Sequence, residues 1–387
     1  MNDIRSMRRR LVAAVVFLIA AANCLPAETH GNAVVGYVFP QNTVLKPGDI
    51  DAGKLTRINY AFANIENGRI TEGFTADKAN YAALNALKRE NPHLTILVSV
   101  GGWLWSTHFS DVALTAQTRA VFIQSVVEFL KLYDLDGLDI DWEYPGMPGS
   151  GHPFRSNDKE NFTLLLKELR SRFDRDTVGT HKRLYLTIAA GASDEFLKHT
   201  EMAKAQTYLD TVNLMAYDYY EPGSDAITGN HAPLFTDPAD PKKESTDVSV
   251  QAFEKAGVPA SKILLGVPFY GHIWGQVADR NHGLFQPGKP IPGAYTSYQT
   301  IVANMLHNGF VRYWDATSSV PYLYETQKQI FVSYEDPESL AEKCAYVQSR
   351  NLGGVMFWDY AGDPSGELLK TVHDALNTTP HKEGATR

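Results

Sequence analysis

Cysteine is nearly absent from this 387-residue chain: there are two, Cys24 and Cys344. The first lies in an N-terminal segment that reads as removable, so a single thiol remains. That excludes an internal disulfide and a cysteine-built zinc site, and stability must come from a packed core. Also missing is a membrane-length apolar run of ~20 residues. "LVAAVVFLIAAANCLPA" is shorter, follows Arg5, Arg8, Arg9 and Arg10, and ends in small residues. A basic start, a short apolar stretch and small residues predict a secretory signal peptide over 1–27, cleaved near Ala27. Asn23 before Cys24 is a poor match to a bacterial lipoprotein signal. The expected location is therefore outside the cytoplasm, extracellular or periplasmic, with no stable membrane association.

The chain also has no block of basic residues. Its formal net charge is −8, and removing the leader takes away more Arg than Asp, so the remainder is more acidic still. A nucleic-acid partner is not expected. The twelve His are scattered without ligand spacing, and no Gly-rich dinucleotide fingerprint follows the first strand. No metal and no cofactor are expected. Linkers of low complexity and tandem repeats are absent too, so residues 28–387 read as one catalytic body, expected to be a monomer.

What the sequence does contain is alternation. Short β-branched or aromatic runs recur at 33–39, 57–63, 94–100, 135–143, 184–190, 210–217, 263–269 and 353–360. Between several of them lie amphipathic stretches, such as 115–133, 157–173 and 336–351, the last opened by Asp336 before Pro337. Repeated strand–helix units of this number predict a (β/α)8 TIM barrel, about 250 residues plus insertions. The gap from 270 to 352 exceeds one helix and is rich in Tyr, Phe and Pro. It predicts a small α+β insertion between strands 7 and 8, over 271–335.

One stretch carries chemistry. "LDGLDIDWEYPG" (135–146) places Asp136, Asp139, Asp141 and Glu143 among Gly, Leu, Ile and Trp. Residues two apart share one face of a strand, so Asp139, Asp141 and Glu143 point together into the barrel while Leu138, Ile140 and Trp142 face the helices. Glu143 ends the strand at the carboxyl-terminal mouth, where barrel enzymes keep their active sites. Clustered inward carboxylates cannot all ionise, so at least one stays protonated near neutrality, as a general acid requires. A calcium site suits this stretch poorly, because its ligands normally come from flexible loops. Were the reaction that of an ordinary retaining glycosidase, acid and nucleophile would flank the scissile bond, whereas acids on one strand reach a substrate from one side only. The group attacking behind the leaving atom is then elsewhere, either Asp218 on another strand or the substrate itself.

"DGLDIDWE" (136–143) resembles the DGxDxDWE signature of glycoside hydrolase family 18, the chitinase family that includes substrate-assisted retaining enzymes. "SVGGW" (99–103), "MAYD" (215–218), "GVPFYG" (266–271) and "GGVMFWD" (353–359) match in order. The resemblance implies a secreted chitinase acting on β-1,4-linked N-acetylglucosamine polymers or oligomers, with chitin or chito-oligosaccharide as its partner. It implies Glu143 as general acid, and Asp141 as the residue that orients the substrate's acetamido group for attack through an oxazolinium. Asp139 would share a proton with Asp141, with Ser99 and Tyr37 behind it, and Tyr217 would hold the acetamido oxygen. Met215 and Asp218 would shape the same subsite, and Trp358 its floor. Trp103 would stack an outer sugar, while Tyr270 and Arg312 would line the cleft wall. Asp359 departs from the pattern, since bacterial relatives often carry Glu there. Alternatives of the same family are an endo-β-N-acetylglucosaminidase, a peptidoglycan hydrolase and a non-catalytic chitin-binding lectin. The acid at Glu143 argues against the lectin.

Overall fold

The computed structural model describes residues 31–377 apart from His181. The leader read at 1–27, with Cys24, lies outside them. Eight strands run Ala33–Val38, Arg57–Glu66, Thr95–Gly101, Gly137–Asp141, Tyr185–Gly191, Thr211–Met215, Ile263–Pro268 and Gly354–Trp358. Consecutive strands pair in parallel, and the first also pairs with the last, Ala33 standing opposite Gly354. The sheet therefore closes into a (β/α)8 barrel with helices around it, as the strand–helix alternation predicts.

The fourth strand shows how the sequence builds this wall. Leu138, Ile140 and Trp142 are fully or almost fully buried in the shell between barrel and helices. Trp142 stacks on Phe109 at 5.3 Å and meets Phe162 edge-on at 5.8 Å. Phe162 belongs to the helix Asp158–Thr180, which buries Leu165, Leu166, Leu169 and Phe173 on the same side. The helix Ala116–Leu132 starts at a capping box on Thr115 and buries Phe122, Val126 and Phe129. Each such side chain contributes about 1.5–3 kcal/mol by leaving water, so the apolar half of the alternation fixes which way the acidic half faces.

Between the seventh and eighth strands the chain builds a second, five-stranded antiparallel sheet from Tyr270–Gly275, Lys289–Ser297, Val311–Asp315, Val320–Glu325 and Ile330–Ser333, with the helix Tyr298–Asn304. The helix Pro337–Ser349 follows, its N-terminus capped by Asp336, which accepts from Glu338 N and Ser339 N. The alternation did not anticipate a short strand, Arg69–Thr71, folded back on the second barrel strand. Nor did it anticipate the two short helices Asp194–Lys198 and Met202–Ala205.

Candidate active site

Inside the barrel, Asp139 is fully buried and gathers hydrogen bonds from four other strands. Tyr37 Oη donates to it at 2.8 Å, Ser99 Oγ at 2.8 Å and Asn213 Nδ2 at 3.0 Å, and Thr187 Oγ1 donates as well. Burial leaves the Asp139 carboxyl above its usual pKa, against the lowering by these hydroxyls and by the nearby Arg57 guanidinium. Arg57 is itself interior, bonded to Thr211 and Asn213.

Asp141 sits one pleat higher and is almost as buried, and its Oδ1 has no hydrogen-bond partner. Burial first, then the charges of Glu143 and Asp139, drive its pKa well above the ordinary value. Glu143 lies just beyond the strand's end at Asp141. Burial pushes its pKa up to about 8, Asp218 and Glu221 adding to this against a hydrogen bond from Tyr144. Three carboxyls whose pKa values are raised by burial and, at Asp141 and Glu143, by like charges hold their protons as a set. The outermost is poised to give one up near neutral pH.

Two features hold this strand end. Gly102 N–H donates to Asp141 O at 2.8 Å. Gly101 and Gly102 have φ of +106° and +78°, and a Cβ on Gly101 would fall 2.2 Å from that carbonyl. Only glycine fits the bend. Ser106, fully buried, donates to Asp141 O at 3.1 Å and accepts from Glu143 N at 2.9 Å. Nothing in "WLWST" signals that role.

Above the acids opens a cavity of about 1100 Å³. Tyr37, Trp103, Met215, Tyr217, Asp218, Tyr270 and Trp358 all line it alongside Asp141 and Glu143. Trp358 is partly buried and stacks on Phe62 at 5.5 Å with 20° between planes. Trp103 is half exposed, and Trp105 packs on Phe74 at 4.9 Å. Ser99 stays behind Asp139, away from the lining. Asp359 is also on the wall, and burial raises its pKa to about 6.

Arg312 is not there. The cleft wall was expected to include it, but its Nε donates to Asp336 at 2.8 Å and its terminal nitrogen to Glu338 at 2.6 Å. Its guanidinium also lies over Trp314. The two acids at the helix N-terminus claim the cation. Its neighbour Tyr313 instead stacks on His282 and Tyr322. Conversely, Tyr295 of the insertion lines the cavity, accepting the Trp358 indole N–H at 3.1 Å and stacking on Tyr270 at 4.3 Å.

Two histidines join the site from separate elements. Spacing along the chain showed no ligand set, yet the fold brings His231 and His272 onto Asp218. His272 Nε2 is 2.8 Å from Asp218 Oδ1, His231 Nδ1 is 3.6 Å away, and Tyr270 Oη donates to the same oxygen at 2.6 Å. Burial pushes Asp218 up, but the two neighbouring imidazoles outweigh it and hold the carboxyl well below the usual range. Burial lowers His231 to about 4.

Residues 33–363 match the family described as Glycosyl hydrolases family 18. Chitinase A1 of Niallia circulans is 38% identical, the match spanning 85% of this chain and 56% of that longer protein. Chitotriosidase-1 of Mus musculus is 33% identical over 86% of this chain and 74% of its own. Among solved structures, a family 18 N-acetylglucosaminidase from Paenibacillus barengoltzii superposes with a TM-score of 0.82 at 41% identity, covering 89% of this chain and 99% of that one. Barrel, acidic strand and cleft thus coincide with a family match across nearly the whole described chain, and the protein belongs to glycosyl hydrolase family 18 as a glycosidase of the chitinase group.

Proposed function

We propose that this glycosidase is an exported chitinase that cleaves β-1,4 links between N-acetylglucosamine units with retention, using the substrate's own acetamido group. The observation that carries the reading is the pairing of Glu143, protonated up to about pH 8, with the unpartnered, buried Oδ1 of Asp141 in one aromatic-walled cleft. Glu143 gives its proton to the glycosidic oxygen as the C1–O bond breaks. The acetamido carbonyl oxygen closes onto C1, and Asp141 Oδ1 accepts the acetamido N–H as positive charge develops there. Water then attacks C1 from the face the leaving sugar vacated, Glu143 takes its proton, and the oxazolinium opens. Asp139 holds Asp141's neighbourhood through its four donors, and Trp358 offers an apolar floor to a sugar face.

The N-acetylglucosaminidase likeness supports a second reading, release of single sugars by the same chemistry. Product analysis on N-acetylglucosamine oligomers separates the two. The chitinase reading expects disaccharide as a major early product with the β-anomer formed first, and Glu143→Gln abolishing turnover. Release of monosaccharide alone overturns the chitinase reading, and α-anomer formed first overturns retention.

A further inference from the structure

His231 is fully buried, and neither of its ring nitrogens has a hydrogen-bond partner. His272 is 4% exposed and turns its Nε2 to Asp218 at 2.8 Å. A buried imidazole nitrogen without a partner is costly, and in His231 the lone pair is free for another ligand. Asp218 supplies a carboxylate oxygen in the same place, so that one ligand atom from each of the three residues falls within 4.8 Å of the others. The reaction assigned to the cleft uses neither histidine.

The backbone holds this cluster. Asp218 follows the sixth barrel strand, Thr211–Met215. His231 sits on the segment after it, its N–H donating to Ser333 Oγ at 2.8 Å and its carbonyl accepting from Tyr219 N at 3.0 Å. His272 is on the first strand of the insertion, paired with Ser333 and Tyr295. Three separate elements thus fix three donor groups. Asp218 and His272 also line the cavity, so the cluster has an open side.

We propose that Asp218, His231 and His272 form a binding site for a divalent transition metal in the cleft wall, and that filling it inhibits the enzyme. Two imidazoles and one carboxylate suit Zn²⁺, Co²⁺, Ni²⁺ or Cu²⁺, while Ca²⁺ and Mg²⁺ prefer all-oxygen shells. Tetrahedral zinc, with bonds of about 2.0–2.1 Å, separates its ligand atoms by about 3.3 Å. The two separations seen from Asp218 Oδ1, 2.8 and 3.6 Å, bracket that value, so small side-chain shifts suffice. The fourth position points to the cleft and takes water. Inhibition follows from place: a cation and its water would occupy a wall beside Tyr270, and Asp218's charge, which acts on Glu143, would be neutralised.

The probe is Co²⁺, whose visible absorption reports low-symmetry nitrogen–oxygen coordination. Untagged protein, stripped with chelator and dialysed, is titrated with Co²⁺ and then with Zn²⁺. One Co²⁺ per chain with a strong visible band, displaced by Zn²⁺, is expected. His272→Gln should weaken binding tenfold or more and relieve Zn²⁺ inhibition of oligomer hydrolysis in parallel. His199→Gln, at a partly exposed histidine elsewhere, should change neither. His231→Gln should match His272→Gln if its thermal melt shows a folded protein, and His272→Gln alone decides if it does not. Absence of a stoichiometric Co²⁺ band at millimolar metal, or a band untouched by His272→Gln, overturns the site. Binding without inhibition overturns its role. Neither result bears on the assignment of Glu143, which the product analysis tests separately.

Discussion

Trp358 donates its indole N–H to the hydroxyl of Tyr295 at 3.1 Å, joining the last barrel strand to the inserted sheet. The insertion thereby orients the cleft floor as well as extending the wall. A neutral hydrogen bond of this kind is worth about 0.5–1.5 kcal/mol, and in the proposed reaction it acts on a surface that sugars cover before and during the chemistry. Tyr295→Phe keeps the stack on Tyr270 and removes only that bond. We expect KM on chito-oligosaccharides to rise about three- to tenfold with kcat within about twofold, the pattern of lost uniform binding. A fall in kcat with unchanged KM would contradict it.

The free enzyme's alkaline limb of activity follows from Glu143. As the proposed general acid it must be protonated to act, and its folded pKa of about 8 places the loss of kcat/KM above that value. A plot of log kcat/KM against pH should bend near pH 8 and fall with a slope approaching −1. A bend near pH 5, where an unperturbed glutamate titrates, would remove the burial argument.

The same shift makes Glu143 a cost to folding at high pH. Its ordinary value is 4.5 and its folded value about 8, so between these the folded state binds the proton that the unfolded state has lost. Stability therefore falls as pH rises through that window, and the proton's contribution is gone above about 8. Glu143→Gln removes the titration. Urea unfolding should show the variant gaining on the order of 1–3 kcal/mol over the native chain between pH 5 and pH 8. Activity should drop by at least the roughly 10²–10⁴-fold that general acid catalysis supplies. An equal stability difference at both pH values would refute the first expectation.

Arg312 separates what a sequence motif offers from what a fold uses. Its two ion pairs, with Asp336 and Glu338, are partly exposed, so each is worth about 0–1 kcal/mol. Arg312→Ala should leave kcat and KM unchanged and lower Tm by a few degrees at most. A rise in KM would return Arg312 to the cleft.

The contrast between Glu143 and Arg312 shows where the sequence was legible. Asp139, Asp141 and Glu143 could be aimed because strand alternation is local, and Leu138, Ile140 and Trp142 leave one possible register. Its limit is visible at the strand's end. The run was read to Glu143, but pairing stops at Asp141, where the Gly102 and Ser106 bonds replace the ladder. Thr187, Asn213, Tyr295 and the pair His231–His272 come from separate elements, and no local period announces which of many similar residues the closed barrel will bring together. Arg312 misled for the converse reason: the family resemblance put it on the cleft wall, while its partners, Asp336 and Glu338, stood in another element.

Ser106 offers the sharpest check on the strand-end geometry. It accepts from Glu143 N at 2.9 Å and donates to the carbonyls of Gly102 and Asp141 at 2.9 and 3.1 Å, with no exposure to water. Ser106→Ala leaves the buried Glu143 N–H without its partner, at about 1–3 kcal/mol, while the carbonyls of Gly102 and Asp141 keep the bonds from Trp105 N and Gly102 N. The backbone can relieve that only by moving the very residue that carries the proton. We therefore expect kcat to fall about ten- to a hundredfold with little change in KM, since substrate rests mainly on the aromatic walls. Ser106→Thr, which restores the hydroxyl, should recover much of the rate if the added methyl is accommodated. A variant Ser106→Ala with native kcat would mean that Glu143 is held by its own packing, and that the serine serves the fold alone.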